Sequence, residues 1–385
     1  MRNGFTTGSC AAAAGKAAAY MLLSGNRISR IAIDTPAGIR YTPSLENITV
    51  EEGSVSCAVR KDAGDDPDIT DGILIVAAVR IRSYDPPEDR SGGMALPEDR
   101  IFIKGGRGVG VVTRPGLDQS VGNAAINSVP RQMIRKEIRE VMELLDFKGT
   151  LLVEISVPGG EELARRTFNP RLGIEGGISI IGTSGVVEPM STRALLETIR
   201  TELNQRKAMG ASAVVISPGN YGLDFMREHY GYDLDRAVKC SNFIGEAIDM
   251  AADLQFSQLL LCGHIGKLIK VSGGIMNTQS READCRMELM AAAAVRCGAA
   301  NDTLKGILDS VSTEEACAYY LEAGIMEQCF RYIMEKIEFY LNKRAGGRIQ
   351  IHCIVYSNKY GLLGATALAQ AFLAQQCGAE ERKEV

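Results

Sequence analysis

The densest group of chemically capable side chains is Lys61-Asp62-Ala63-Gly64-Asp65-Asp66-Pro67-Asp68-Ile69-Thr70-Asp71, five carboxylates within ten residues ahead of an apolar stretch. Like charges this close repel, so a partner is expected among them. A sulfonium, a divalent metal or ribose hydroxyls would suit, and Asp66 is a candidate acid–base residue; a solvated acidic turn is the competing reading. A second group is three small or polar loops, each following an apolar run: Gly182-Thr183-Ser184-Gly185 after residues 177–181, Pro218-Gly219-Asn220 after 213–217, and Gly263-His264-Ile265-Gly266-Lys267 after 259–262. If these runs are successive parallel strands, their loops converge on the edge where open α/β sheets bind ligands; three unrelated tight turns are the alternative. His264 carries the one side chain that normally exchanges protons near neutral pH, although a lone histidine is more often structural. For a ligand with several carboxylates, Lys104, Arg131, Arg171 and Lys267 are the candidate cations, Arg in particular offering a bidentate fork.

Other motifs do not carry chemistry as well. Gly105-Gly106-Arg107-Gly108-Val109-Gly110 resembles a dinucleotide fingerprint, but a β-branched run follows where a helix must open, so a glycine-rich hairpin is expected. Gly8 through Gly15-Lys16 is too widely spaced for a phosphate loop and lacks the hydroxyl after lysine. Thr6-Thr7-Gly8-Ser9 ahead of Cys10 and four alanines is a helix start; its free amides suit an anion, and simple capping explains it equally. The ten cysteines never fall in a C-x2-4-C spacing and the histidines number three, so no protein-held metal is expected and the thiols are read as free.

These residues need elements to hold them. The first half alternates short β-branched runs (31–35, 54–61, 73–81, 101–104, 109–113, 150–157) with helical patterns at 10–23 and 130–145, the signature of an α+β, two-layer α/β-sandwich domain with antiparallel pairing. From residue 177 onward strands alternate with helices: helical patterns at 191–209, 241–253, 282–297, 313–323, 326–342 and 362–376, and strands at 213–217, 259–262 and 348–355. That rhythm predicts a Rossmann-like α/β domain with a parallel sheet and helices on both faces. The Pro/Gly-rich connection at 169–177 sets the expected boundary, residues 1–172 against 173–385.

A composition of 45% hydrophobic and 23% charged residues is that of a globular protein, and a net charge of −4 makes nucleic acid an unexpected partner. Without an apolar leader after Met1 or a long apolar run, neither export nor a membrane span is expected, and the protein is assigned to the cytoplasm. A homo-oligomer is left open.

Successive blocks then carry a resemblance: Arg2 through Ala11, Gly64 through Gly72, Gly105 through Leu117, Ala125-Ile126-Asn127 with Pro130-Arg131, Thr167-Phe168-Asn169 with Arg171 through Ile174, Gly176 through Gly185 with Pro189-Met190-Ser191, and Gly263 through Lys270. In this order they resemble the CbiD family, the C1-methyltransferases of cobalt-precorrin-5B in anaerobic cobalamin assembly. One departure stands out: Thr278-Gln279-Ser280 lies where the family pattern resembles Thr-His-Ser. The resemblance implies S-adenosylmethionine as methyl donor and a tetrapyrrole substrate that brings its own cobalt. For that chemistry the residues themselves offer His264 and Asp66 as acid–base candidates, Gly182, Thr183, Ser184, Gly185, Gly219 and Asn220 for the donor, and Lys104, Arg131, Arg171 and Lys267 for the substrate. The residues alone leave two other readings open, an ATP-dependent kinase or ligase using the acidic turn for Mg²⁺, and a non-catalytic tetrapyrrole carrier.

Overall fold

The computed structural model describes residues 1–82, 100–189, 191–219, 221–232 and 236–378. The chain divides into two compact units, Met1–Ala194 and Leu195–Val385.

In the first unit, strands β1 (Leu45–Glu51), β2 (Ser54–Arg60), β3 (Leu74–Arg82), β4 (Ile101–Gly105) and β5 (Thr150–Ser156) form one mixed sheet in the order β1-β2-β3-β5-β4. All pairs are antiparallel except β5 with β4, which run parallel. Period-two burial sets the covered face: Val55, Cys57 and Val59, Ile75, Ala77 and Val79, and Leu151, Val153 and Ile155 all lie in one core. Helices α1 (Thr7–Ser24) and α2 (Ser128–Leu144) share that core. The alanines of α1 are completely buried, and with no side chain beyond Cβ they let the helix lie close to the sheet. Thr6 starts it by accepting from Ser9 N at 3.2 Å, and Gly25, at φ 71°, ends it by donating to Met21 O.

Two sequence expectations change here. The boundary falls after residue 194, not 172, because residues 174–187 pair with the first unit: Ile174–Glu175 with Val111–Val112, Gly177–Ile178 with Gly108–Val109, and Val186–Val187 with Gly4–Phe5. Consequently the glycine-rich segment 105–110 is no hairpin; it pairs across about 70 residues with 177–178, and a Cβ on Gly108 would stand 1.9 Å from Val157 O. The exposed edge strand β1, lacking a clean apolar face, was not expected at all.

The second unit holds strands β6 (Ala213–Ser217), β7 (Val238–Lys239), β8 (Gln258–His264), β9 (Gln350–Ser357) and β10 (Gly361–Ala365) in the order β7-β6-β8-β9-β10, parallel but for the last. Helices α3 (Thr192–Ala208, its first turn still in the first unit), α4 (Tyr221–Tyr230), α5 (Ile244–Asp253), α6 (Ile265–Leu268), α7 (Arg286–Arg296), α8 (Asn301–Asp309), α9 (Thr313–Glu322), α10 (Met326–Ala345) and α11 (Ala369–Gly378) complete it. Strand residues alternate between two cores: Val214, Ile216, Leu259, Leu261, Ile351 and Cys353 face one, while Val215, Leu260, Cys262 and Ile354 face the other with Phe225 and Phe372. Burial on both faces explains why these strands read as continuous apolar runs. The expected helix at 362–376 is instead edge strand β10 followed by α11, since pairing with β9 offers residues 361–365 ladder partners that local propensity does not reveal.

Candidate functional site

The chain leaves β6 toward β7 on one side and leaves β8 toward β9 on the other, so the carboxyl ends of β6 and β8 flank a topological switch point. Open α/β sheets bind ligands at such a crevice. Two of the three loops singled out from sequence meet there. Lys267 Nζ donates to Pro218 O at 2.8 Å, tying the loop after β8 to Pro218-Gly219 after β6. Burial of Lys267 lowers its pKa from the ordinary lysine value; neighbouring Cys240 opposes that shift and Lys270 adds to it. Asn220 lies outside the described residues.

His264 ends β8 and opens α6. Its Nδ1 accepts from Gly266 N at 3.0 Å, capping the short helix, and its Nε2 lies 3.4 Å from Glu314 Oε1 at the start of α9. With Nδ1 accepting, a neutral ring carries its proton on Nε2, facing Glu314. The same Glu314 oxygen accepts from Ser357 Oγ at 2.8 Å, and Ser357 Oγ in turn accepts from the amides of Lys359 and Tyr360. The Ser357 hydrogen bond, aided by His264, holds the Glu314 carboxyl below its usual pKa against the opposing effect of burial. Tyr356 sets its ring edge to the imidazole, 5.7 Å between centroids. Glu314 and Ser357 were missed by sequence reasoning; nothing local marks either, although the turn at 357–361 follows an apolar strand.

Lys270 was also missed as an individual site residue. It is 1% exposed, and its ammonium donates to Thr278 O at 3.1 Å and Ala283 O at 2.7 Å. A buried ammonium is costly unless hydrogen-bonded, so these carbonyls fix the course of residues 278–283 around it. Gln279 lies in this segment, its amide donating to Asn277 Oδ1, and Thr278 N bonds Asn242 O in the loop after β7.

The remaining candidates belong to the first unit. Gly182, Thr183, Ser184 and Gly185 do not follow a strand of the parallel sheet, which corrects the expected convergence of three loops. They wrap the start of α1: Gly8 N donates to Ile181 O at 3.0 Å, Thr6 N and Ser9 Oγ donate to Gly185 O at 3.2 and 2.6 Å, and Ala37 N donates to Ser184 O. Gly182 takes φ 134°, and a Cβ there would meet Thr6 Oγ1 at 2.2 Å. The amides of Gly8 and Ser9, offered by sequence for an anion, are therefore engaged within the chain.

The acidic turn finds its cations in its own chain. Lys61, with a side chain 2% exposed, pairs with Asp68 at 2.5 Å. The Arg2 guanidinium takes both oxygens of Asp62, and Asp65 accepts from Arg2 N at 2.6 Å. Asp71 accepts from Ala63 N. Asp66 sits half-buried, its amide donating to Ala63 O.

Among the basic candidates, Lys104 pairs with Glu154 on the adjacent strand at 2.6 Å. Arg131 spends its guanidinium on main-chain carbonyls: Nε to Ile126 O at 2.8 Å, Nη1 to Ile103 O at 3.0 Å and Nη2 to Ala124 O at 3.5 Å. Arg171 is half-buried, and its carbonyl accepts from Arg114 Nη1 at 3.3 Å. Lys104, Arg131 and Arg171 thus sit in the first unit, and Lys267 in the second. Among the described residues no three His, Cys, Asp or Glu side chains gather as metal ligands, nine cysteines are free, and no helix is long and apolar enough to cross a membrane.

The family model CbiD matches residues 1–189, and the model CbiD, C-terminal domain, matches 277–367. A cobalt-precorrin-5B C(1)-methyltransferase of Ruminiclostridium cellulolyticum is 47% identical, covering 93% of this chain and 89% of its own length. The chain belongs to the CbiD family. A second relative of the same name, from Alkaliphilus metalliredigens, is 43% identical over 97% of this chain and 94% of its own. A solved cobalamin biosynthesis protein (cbiD) from Archaeoglobus fulgidus is 27% identical, covering 73% of this chain and 83% of that one, at a TM-score of 0.37. The first CbiD model ends close to the boundary between the two units and takes in the α1 start, the acidic turn and residues 182–185. The CbiD C-terminal model takes in Gln279, Glu314 and Ser357, while Gly219, His264 and Lys267 lie between the two models.

Proposed function

We propose that this protein methylates C-1 of cobalt-precorrin-5B, giving cobalt-precorrin-6A in anaerobic cobalamin assembly, with S-adenosylmethionine as donor. The observation carrying this is identity of 47% and 43%, over more than nine-tenths of the chain, to relatives named for that reaction. In the transfer the electron pair of C-1 forms the new carbon–carbon bond, the methyl–sulfur bond breaks, and sulfur leaves neutral as the thioether of S-adenosylhomocysteine. The protein's task is alignment of carbon, methyl and sulfur at about 3 to 3.5 Å in a site that excludes water. Cobalt enters with the substrate.

The donor is assigned to the crevice at the carboxyl ends of β6 and β8, beside Gly219, with Lys267 supplying a positive charge to a ligand carboxylate. Residues 182–185 are left out of that assignment, because they belong to the first unit, where Gly185 O accepts from Thr6 N and Ser9 Oγ and Ser184 O accepts from Ala37 N. A kinase or ligase reading loses its main support, since Asp62, Asp65, Asp68 and Asp71 are engaged by Arg2, Lys61 and main-chain amides. The test is anaerobic incubation of cobalt-precorrin-5B with protein and S-adenosylmethionine, followed by mass spectrometry. One added methyl group, with stoichiometric S-adenosylhomocysteine, is expected; substrate bound but unmethylated would favour a carrier.

A further inference from the structure

His264 stands where sequence reasoning seeks a proton shuttle, yet both ring nitrogens are engaged within the chain. Nδ1 holds the Gly266 amide at 3.0 Å and Nε2 faces Glu314 at 3.4 Å, while Glu314 is itself tied to Ser357 at 2.8 Å. Protonating Nδ1 would set an N–H against the Gly266 N–H, so accepting a ligand proton there means giving up the cap. The turn that this cap closes, residues 264–267, delivers Lys267 Nζ to Pro218 O across the crevice.

We propose that His264 is a positioning residue: it serves as an N-cap, braced by Glu314 and Ser357, that aims Lys267 across the β6–β8 crevice, and it does not exchange protons with the substrate. This rests on the reading of the crevice as a ligand site. The two ideas fail separately, because the position of Lys267 is measurable without turnover.

Three substitutions divide the roles of the ring. His264→Asn places an amide oxygen near the position of Nδ1, and asparagine is a favoured cap residue. His264→Gln reaches toward Glu314 but offers no cap, and His264→Ala removes both contacts. In single-turnover methyl transfer, Asn should stay within about threefold of the parent protein, whereas Gln and Ala should fall by about tenfold, the scale of a lost N-cap. The independent readout is titration of Lys267 by lysine-selective NMR, assigned with Lys267→Arg. The charged and titratable groups acting on Lys267 are Cys240 and Lys270, and neither is altered by these substitutions. Lys267 should titrate below ordinary lysine in the parent and in His264→Asn, and move back toward the ordinary value in His264→Ala.

Loss of turnover in His264→Asn equal to that in His264→Ala would make the imidazole an acid–base group and overturn the proposal. So would an unchanged Lys267 titration in His264→Ala, since the loop would then be held by something else. A parent protein that methylates nothing, with Lys267 shifting as stated, would sink the functional reading and leave the positioning role standing.

Discussion

Replacing Asp68 by Asn strips the counter-charge from Lys61 while keeping an acceptor for Thr70, whose amide and hydroxyl both donate to Asp68 Oδ1 at 2.8 and 2.7 Å. The Lys61 side chain is 2% exposed and stands 2.5 Å from Asp68, so the substitution strands a buried ammonium. Breaking such a pair costs about 3–5 kcal/mol. The lower end applies, because Asp62 is close enough to feel the Lys61 charge. At roughly 2–4 °C per kcal/mol, the first unit should melt about 6–12 °C lower. Lys61→Met removes the buried charge itself and leaves a carboxylate 25% exposed and twice bonded by Thr70, so it should cost less, about 1–2 kcal/mol. The double variant should be more stable than Asp68→Asn alone by at least about 1 kcal/mol, as coupled neighbours require. Urea unfolding followed by circular dichroism measures all four proteins. Burial pushes the Asp68 pKa up, but the charge of Lys61 and the hydrogen bonds from Lys61 and Thr70 outweigh it and hold the carboxyl below its usual value. A depressed carboxylate contributes its stability above the unfolded pKa, about 4, and loses it as pH falls through the folded value. The gap between parent and Asp68→Asn should therefore persist from neutral pH down to about 4 and close below it. Additive losses in the double variant, or a gap that widens in acid, would refute the pairing.

Two further outcomes separate structural from ligand-binding roles in the first unit. Gly182→Ala forces a Cβ to 2.2 Å from Thr6 Oγ1 at φ 134°, and should destabilise the unit by more than about 3 kcal/mol in thermal melts. The protein that remains folded should keep its S-adenosylmethionine affinity in calorimetry; weakened affinity would return the donor to that loop. Arg131→Met takes a donor from the carbonyls of Ile126, Ile103 and Ala124, of which Ala124 O keeps the Ile126 amide, and should cost about 2–4 kcal/mol with the substrate KM unchanged. Arg131→Lys should not restore stability, lacking the planar fork; a raised KM with normal stability would make Arg131 a substrate contact.

What was legible in the residues alone was local. The α1 start at Thr6 to Ser9, the apolar runs of β6, β8 and β9, and the loop at Gly263 to Lys267 all declare themselves, because capping, burial on both faces and turn chemistry depend on neighbours within a few residues. The CbiD blocks were readable for the same reason. Tertiary structure decided every pairing between distant segments. Residues 177–178 look like one more strand of the parallel sheet, yet glycine at 108 and 177 permits a main-chain approach that draws them into the first unit. The acidic turn looks open to a foreign cation until Arg2, sixty residues earlier, folds onto Asp62. His264 looks like a proton shuttle until Glu314, fifty residues later, occupies its second nitrogen. Hydrogen-bonding capacity is a property of residue type, readable in sequence; whether that capacity is already spent depends on which segments the folded chain brings within about 3 Å.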